Sequence, residues 1–106
     1  MTLSFTDDAD SAVLTVSGSI DVRSVSAVRE ALAGLLDRRA GDVVLDLSGV
    51  DVMDATGLGM IVAAHRRALR SGRRLVLRGV EPGLARLFAV ARLGRVLSFE
   101  RAAGAR

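Results

Sequence analysis

The sequence predicts a small α/β fold, in which a mixed sheet is covered by helices mainly on one face. Strand-like and helix-like apolar patterns follow each other in the order β-β-α-β-α-β-α-β, which favours parallel strands joined by right-handed crossovers, with an antiparallel strand added at the N-terminus. Polar residues interrupt the strand patterns at Asp46 and Arg78, whereas strands covered on both faces are usually apolar throughout. With 106 residues, the chain is predicted to form a single domain over residues 1–106.

The first part of the chain contains two strand patterns and one helical pattern. Residues 3–5 and 13–16 are predicted strands, joined by an acidic turn at 7–10, and residues 18–21 end the second strand. A helix is predicted over 22–36, with Asp21 as its N-cap and Arg38, Arg39 and Gly41 at its end. Its predicted buried face has 3-4-3 spacing and consists of Val25, Val28, Leu32 and Leu35.

The central strand is predicted over residues 43–47, with Asp46 and Ser48 capping or turning its end. The second helix is predicted to begin near residue 56 or 57 and to continue to about residue 70. Its apolar stripe would consist of Leu58, Ile61, Val62, His65 and Leu69.

The last part of the chain repeats the strand-helix-strand order. A strand is predicted at 75–78 and a short one at 96–99, followed by a tail at 101–106. Glu81 and Pro82 open the helix between them, since proline is well suited to the first helical position, and Gly94 closes it. The predicted buried face consists of Leu84, Leu87, Phe88 and Ala91.

Composition excludes several classes of function. The chain has no cysteine and no lysine, which excludes disulfides, thiolate metal sites, the lysine of a P-loop and Schiff-base chemistry. All 15 basic residues are dispersed arginines and only 3% of residues are aromatic, so we predict no direct binding of nucleic acid despite a net charge of +3. No signal sequence and no run of ~20 apolar residues is present, which predicts a cytoplasmic protein without membrane insertion.

Three features that resemble parts of enzyme sites are incomplete. His65 is the only histidine and lies on the apolar stripe, so it is predicted to be an edge-of-core residue and not a catalytic base or a metal ligand. Asp46 follows a strand, as a phosphotransferase nucleophile would, but a second aspartate two residues later is absent. Residues 57–59 begin a dinucleotide fingerprint whose third glycine is replaced by Val62. We therefore predict no enzymatic activity, no metal and no cofactor.

Thr56 has two interpretations from the residues alone. Its hydroxyl would serve as the N-cap of the second helix, although Gly59 in the third position after it provides no capping box. Alternatively, it would serve as a modification site, because free N–H groups and the macrodipole favour a dianionic phosphate at a helix N-terminus. Phosphorylation would then leave the fold intact, and the negative charge added beside Asp54 would change the binding of a partner that docks at this turn.

Residues 44–50 (VLDLSGV) and 53–59 (MDATGLG) resemble the signature of the STAS domain, and most of all that of the single-domain anti-sigma factor antagonists. Its specific part is the Asp-x-[Ser/Thr]-Gly-Leu-Gly turn of residues 54–59. The likeness covers about residues 10–99 and includes the segments GSID at 18–21, AHRRA at 64–68, GRRLVL at 72–77 and PGLARLF at 82–88.

The resemblance implies a partner switch. The unphosphorylated antagonist would bind an anti-sigma factor that is also a Ser/Thr kinase of the histidine-kinase-like ATPase fold, and would thereby free the sigma factor. That kinase would phosphorylate Thr56 and dissociate, and a metal-dependent PP2C-type serine phosphatase would reset the switch. We expect a monomer when the chain is free. The docking surface around the acceptor would consist of Asp21, Asp54, Ala55, Gly57, Leu58 and Gly59.

Two other functions stay open at this point. A constitutive STAS accessory subunit of a transporter or of a larger signalling assembly would use Thr56 as a contact and not as an acceptor. A phosphotransferase would act from Asp46. The switch predicts that Thr56→Asp abolishes partner binding while Thr56→Ala preserves it, whereas an accessory subunit would bind equally well with either substitution.

Overall fold

The computed structural model describes residues 1–8, 11–38 and 41–100, which contain five strands and three helices. The order of strands and helices along the chain is the predicted one. In chain order the elements are β1 (Thr2–Asp8), β2 (Ser11–Ile20), α1 (Val25–Arg38), β3 (Val43–Met53), α2 (Ala55–Arg70), β4 (Leu75–Arg78), α3 (Pro82–Val90) and β5 (Ser98–Phe99).

The five strands lie in the sheet in the same order as in the chain. β1 is antiparallel to β2, whereas the pairs β2–β3, β3–β4 and β4–β5 are parallel. Each of the three connections between parallel strands therefore moves one strand further toward the β5 edge of the sheet. Because such connections are right-handed, α1, α2 and α3 all lie on the same face. The prediction of a mixed sheet with helices mainly on one face is confirmed.

The main core lies between the helices and the face of the sheet that they cover. Leu14, Leu45 and Leu77 point into it from three neighbouring strands and are buried. The helices contribute apolar side chains that include Val28, Leu32, Ile61, Leu84 and Phe88. On α1 the prediction is correct at Val25, Val28 and Leu32, but Leu36 and not Leu35 is the fourth buried residue.

The other face of the sheet carries a small second cluster of Val13, Val44 and Val76. Because side chains alternate along a strand, Asp46 lies on the face of Val44, and Arg78 lies on that of Val76. Asp46 and Arg78 are also partners in the β3–β4 register. The two polar interruptions of the sequence pattern therefore share the face that lies opposite the main core.

The first three strands are longer than predicted. β2 and β3 continue to Ile20 and Met53 through two register shifts, one of them beside Gly18, whose φ is +95°. The serine and glycine positions that resemble strand ends thus form irregularities within paired strands. β1 continues to Asp8, so the predicted acidic turn is wrong at residues 7 and 8, while residues 9 and 10 lie outside the described residues.

The helix ends also correct the predictions. α1 begins at Val25, three residues later than predicted, and a turn at residues 22–24 precedes it. Asp21 caps this turn, because its carbonyl accepts a hydrogen bond from the Val25 amide at 2.9 Å and its Oδ1 accepts one from the Arg23 amide at 2.9 Å. Pro82 begins α3 as predicted, and the helix ends at Val90. Ala91 is exposed, so its predicted place on the buried face is wrong. The residue after the helix with a left-handed conformation is Arg92 (φ 61°) and not Gly94. Residue 39 and the predicted tail at 101–106 lie outside the described residues.

The buried face of α2 differs from the predicted stripe at one end. Met60, Ile61, His65 and Ala68 are buried, whereas Leu69 is 53% exposed. Leu58 and Val62 are half-buried and pack against the main core. Among the helices of the described residues, none combines the length and the hydropathy that crossing a membrane requires.

Candidate functional site

The ends of β2 and β3 bring the two predicted acidic residues to one edge of the sheet. Ile20 and Met53 are paired in the parallel register, and the Asp54 amide donates a hydrogen bond to the Ile20 carbonyl at 3.2 Å. Asp21 follows Ile20, and Asp54 follows Met53. The two residues therefore leave neighbouring strands side by side, although they are far apart in the sequence.

Asp54 is the N-cap of α2. Its backbone is extended (φ −102°, ψ −176°), and its Oδ1 accepts a hydrogen bond from the Gly57 amide at 3.1 Å. Its carbonyl accepts the first hydrogen bond of the helix, from the Leu58 amide at 3.1 Å. The interpretation of Thr56 as the cap is wrong, because Thr56 is already the second helical residue, and a cap must precede the helix in an extended conformation.

The Thr56 side chain is exposed on the first turn of α2. The N–H groups of the first helical residues have no acceptor within a helix, and here Ala55 and Thr56 precede the first intrahelical donor, Leu58. Within the described part of the chain, the Thr56 hydroxyl makes no hydrogen bond. This hydroxyl is therefore accessible to another protein, and it lies beside unpaired amide donors at the positive end of the helix dipole.

Gly57 permits a close approach between α2 and the ends of the two strands. A Cβ atom added at this position would lie 2.7 Å from Met53 Cγ, 3.0 Å from Ile20 Cγ2 and 3.1 Å from the Ile20 carbonyl oxygen. Gly59 differs, because no atom lies within 4 Å of the corresponding position. Ala55 and Gly59 are exposed and Leu58 is half-buried. Gly57 is buried, and its lack of a side chain lets the turn pack closely on the ends of β2 and β3.

Asp21 lies in a hydrogen-bonded loop. Its Oδ1 accepts from the Arg23 amide at 2.9 Å, and its own amide donates to Ser24 Oγ at 3.0 Å. Ser24 Oγ in turn donates to the Ser19 carbonyl at 2.8 Å. These bonds hold the turn between β2 and α1 in one conformation, so that Asp21 is presented at the same edge as Asp54 without support from a partner.

Two exposed apolar residues near Asp21 and Asp54 were not predicted from the sequence. Val22 is 70% exposed in the turn after Asp21, and Val52 is 56% exposed near the end of β3, where it pairs with Ser19. The signal lay in the strand alternation: if β3 reaches Met53, whose side chain is buried, then Val52 must face the opposite side. Exposed valines beside carboxylates are the mixed surface that protein interfaces use.

The remaining candidates from the sequence do not form an enzyme site at this edge. His65 is buried in α2, with 6% of its surface exposed, and its Nδ1 has no hydrogen-bond partner among the described residues. Asp46 lies within β3, where its Oδ1 accepts from the Ser48 amide at 2.9 Å, so these residues form a local irregularity and not a strand end. Among the residues described, no three His, Asp or Glu side chains group as metal ligands do.

The fold and this turn define a STAS domain. The family described as "Mlab, STAS domain" matches residues 3–98. An anti-sigma-B factor antagonist of Listeria monocytogenes is 32% identical over 97 residues, which cover 92% of this chain and 85% of that protein. The anti-sigma-B factor antagonist of Bacillus subtilis is 33% identical over 84 residues, covering 79% and 76% of the two chains. The chain therefore belongs to the STAS domain family, within its anti-sigma factor antagonists.

Solved structures show the same fold at low sequence identity. An anti-sigma factor antagonist from Mycobacterium paratuberculosis superposes with a TM-score of 0.81 and 24% identity, covering 95% of this chain and 86% of that one. The Bacillus cell fate determinant SpoIIAA in its phosphorylated form superposes with a TM-score of 0.72 and 15% identity, covering 96% and 94%. The agreement over nearly the whole length of both structures confirms the strand order and the helix placement.

Proposed function

We propose that this protein works in a partner-switching pathway as an anti-sigma factor antagonist whose binding is controlled by phosphorylation. Unphosphorylated, it binds an anti-sigma factor and frees the sigma factor; phosphorylated at Thr56, it dissociates. The observation that carries the proposal is that the Thr56 hydroxyl, on the first turn of α2 next to Asp54, is exposed and makes no hydrogen bond with any described residue. The names of the sequence relatives support the antagonist role, and a similar fold solved in a phosphorylated form supports the modification.

The proposed partner is a Ser/Thr kinase of the histidine-kinase-like ATPase fold, so that the anti-sigma factor modifies the protein that it binds. Oγ1 of Thr56 forms a bond to the γ-phosphorus of ATP, the bond from that phosphorus to the leaving oxygen breaks, and ADP and the hydroxyl proton are released. A PP2C-type phosphatase transfers the phosphoryl group to water and restores the hydroxyl. This chain supplies only the acceptor, and in this proposal it is not an enzyme.

The proposed release follows from charge and desolvation. A phosphate on Thr56 adds roughly two negative charges next to the Asp54 carboxylate. Burying this dianion among like charges disfavours the complex by several kcal/mol, and each ~1.4 kcal/mol weakens binding tenfold. A loss of affinity of about a thousandfold is therefore the expected size of the switch.

The first test is the intact mass of the protein after incubation with ATP, magnesium and the anti-sigma kinases of its own organism. We expect a gain of one phosphoryl group, which is absent in Thr56→Ala and retained in Thr6→Ala, a matched change at an exposed threonine of β1. Complex formation without phosphate transfer to the wild-type protein would contradict the switch.

The second test compares binding of the same kinase to two variants. Thr56→Ala should bind like the wild type, because it removes only an exposed hydroxyl, whereas Thr56→Asp should bind far more weakly. Equal and tight binding by both variants would favour a constitutive STAS accessory subunit instead, with Thr56 as an ordinary contact.

A further inference from the structure

A groove of about 250 Å³ lies between α1 and α2, separate from the turn that carries Thr56. Small side chains create it: Ala33 on α1 and Ala63 and Ala64 on α2 leave a depression where larger residues would fill the space between the helices. Its bottom consists of the buried side chains Leu32, Leu36 and Met60. We call this depression the α1–α2 groove.

The charged residues that line the α1–α2 groove are three arginines. Arg29 borders it from α1, and Arg67 and Arg70 border it from α2, while no acidic residue lines it. Arg67 forms an ion pair with Asp37 across the two helices. Arg29 and Arg70 have no ion pair with another described residue. The groove therefore combines a recessed apolar bottom with two guanidinium groups at its border that pair with no carboxylate of the described residues.

We propose that the α1–α2 groove binds an acidic amphipathic helix of a partner protein. The groove residues span ~12 Å of α1 and ~16 Å of α2, which is the length of two to three helical turns. Apolar side chains at i and i+4 would enter the depression, and carboxylates on both sides of them would pair with Arg29 and Arg70. Helix-in-groove recognition uses this combination of apolar anchors and flanking charges.

The recessed position of the apolar surface favours a protein helix over a membrane. A membrane-binding surface inserts protruding apolar side chains into the lipid. Here the small apolar side chains lie below the ends of long arginine side chains, which suits an occupant that projects its own side chains inward. This proposal does not depend on the proposed function, because it uses other residues and would stand if Thr56 were never phosphorylated.

The test uses a fluorescent peptide of about 16 residues, designed as a helix with leucines on one face and glutamates on both flanks. A matched peptide carries glutamine in place of every glutamate. Anisotropy should show binding of the glutamate peptide that weakens at higher salt, and weaker, salt-independent binding of the glutamine peptide. Amide shifts in NMR spectra should locate the bound glutamate peptide at Ala33, Ala63 and Ala64.

Variants of this protein distinguish binding in the α1–α2 groove from general electrostatic attraction of an acidic peptide to a basic protein. Arg29→Glu combined with Arg70→Glu should weaken the glutamate peptide by at least about tenfold. Arg86→Glu, on the exposed side of α3, should have little effect. Ala63→Leu should block both peptides by filling the depression without changing charge, and leucine at this exposed helical position preserves folding, which circular dichroism checks.

Several outcomes would overturn the proposal. These are equal binding of the two peptides, equal weakening by Arg86→Glu, or full binding by Ala63→Leu. Binding to phosphatidylglycerol vesicles that requires Arg29 and Arg70, without binding of the glutamate peptide, would instead assign the surface to a membrane.

Discussion

The Asp54 carboxylate and the Gly57 amide are joined by the hydrogen bond that caps α2, at 3.1 Å. These two residues flank Thr56, the proposed acceptor, and both contact the end of β2 through Ile20. Asp54 thus has a structural task besides its proposed place on the docking surface. Any loss of binding after its substitution has to be separated from a loss of stability.

The cap predicts a moderate effect of Asp54 on stability. Asp54→Ala should lower the free energy of unfolding by about 1 kcal/mol, because the Gly57 amide loses its acceptor, while Asp54→Ser should retain most of the stability. Urea unfolding followed by circular dichroism measures this. Asp51→Ala, at an exposed position of β3, is the control and should be nearly neutral; equal stability of all these proteins would contradict the assignment of the cap.

The two glycines of the turn should respond oppositely to alanine. Gly57→Ala should destabilise the protein by about 1–3 kcal/mol, because its Cβ would overlap Met53 Cγ and approach the Ile20 carbonyl. Gly59→Ala should stabilise it by up to about 1 kcal/mol, since the position is helical and open and alanine is the better helix former. Thermal unfolding of both variants checks the prediction, and changes of the same sign would contradict it.

A negative charge at Thr56 should leave the fold intact. Thr56→Asp and Thr56→Ala should differ in free energy of unfolding by no more than about 0.5 kcal/mol, because the side chain is exposed at the positive end of α2. Urea titrations of the two variants provide the comparison. A loss above about 1 kcal/mol in Thr56→Asp relative to Thr56→Ala would contradict this prediction.

The three phenylalanines should rank by their burial. Phe88 is 1% exposed in the core, Phe99 is 39% exposed and meets Phe88 edge-on at a centroid distance of 5.6 Å, and Phe5 is 57% exposed. Phe88→Ala should cost about 3–5 kcal/mol, Phe99→Ala clearly less, and Phe5→Ala the least. The midpoints of urea unfolding test this ranking, and a larger effect of Phe5→Ala than of Phe99→Ala would refute it.

Local patterns predicted much of the fold, because they record burial within a single element. The spacing of Val25, Val28 and Leu32 identified the face of α1, and Pro82 identified the first residue of α3. The same patterns failed at the end of β3. Ser48 and Gly49 resemble a turn, yet pairing with β2 carries the strand on to Met53, and this pairing depends on residues distant in the chain.

The sequence by itself determined the order of the elements, the STAS signature and the presence of a hydroxyl at Thr56 after an aspartate. Only the tertiary structure decided that Asp54, and not Thr56, caps α2. It also decided that Gly57 is buried while Gly59 is open, and that three alanines leave the α1–α2 groove. The physical reason is that periodicity reports which side of an element is buried, whereas strand register and helix packing decide which distant residues meet there.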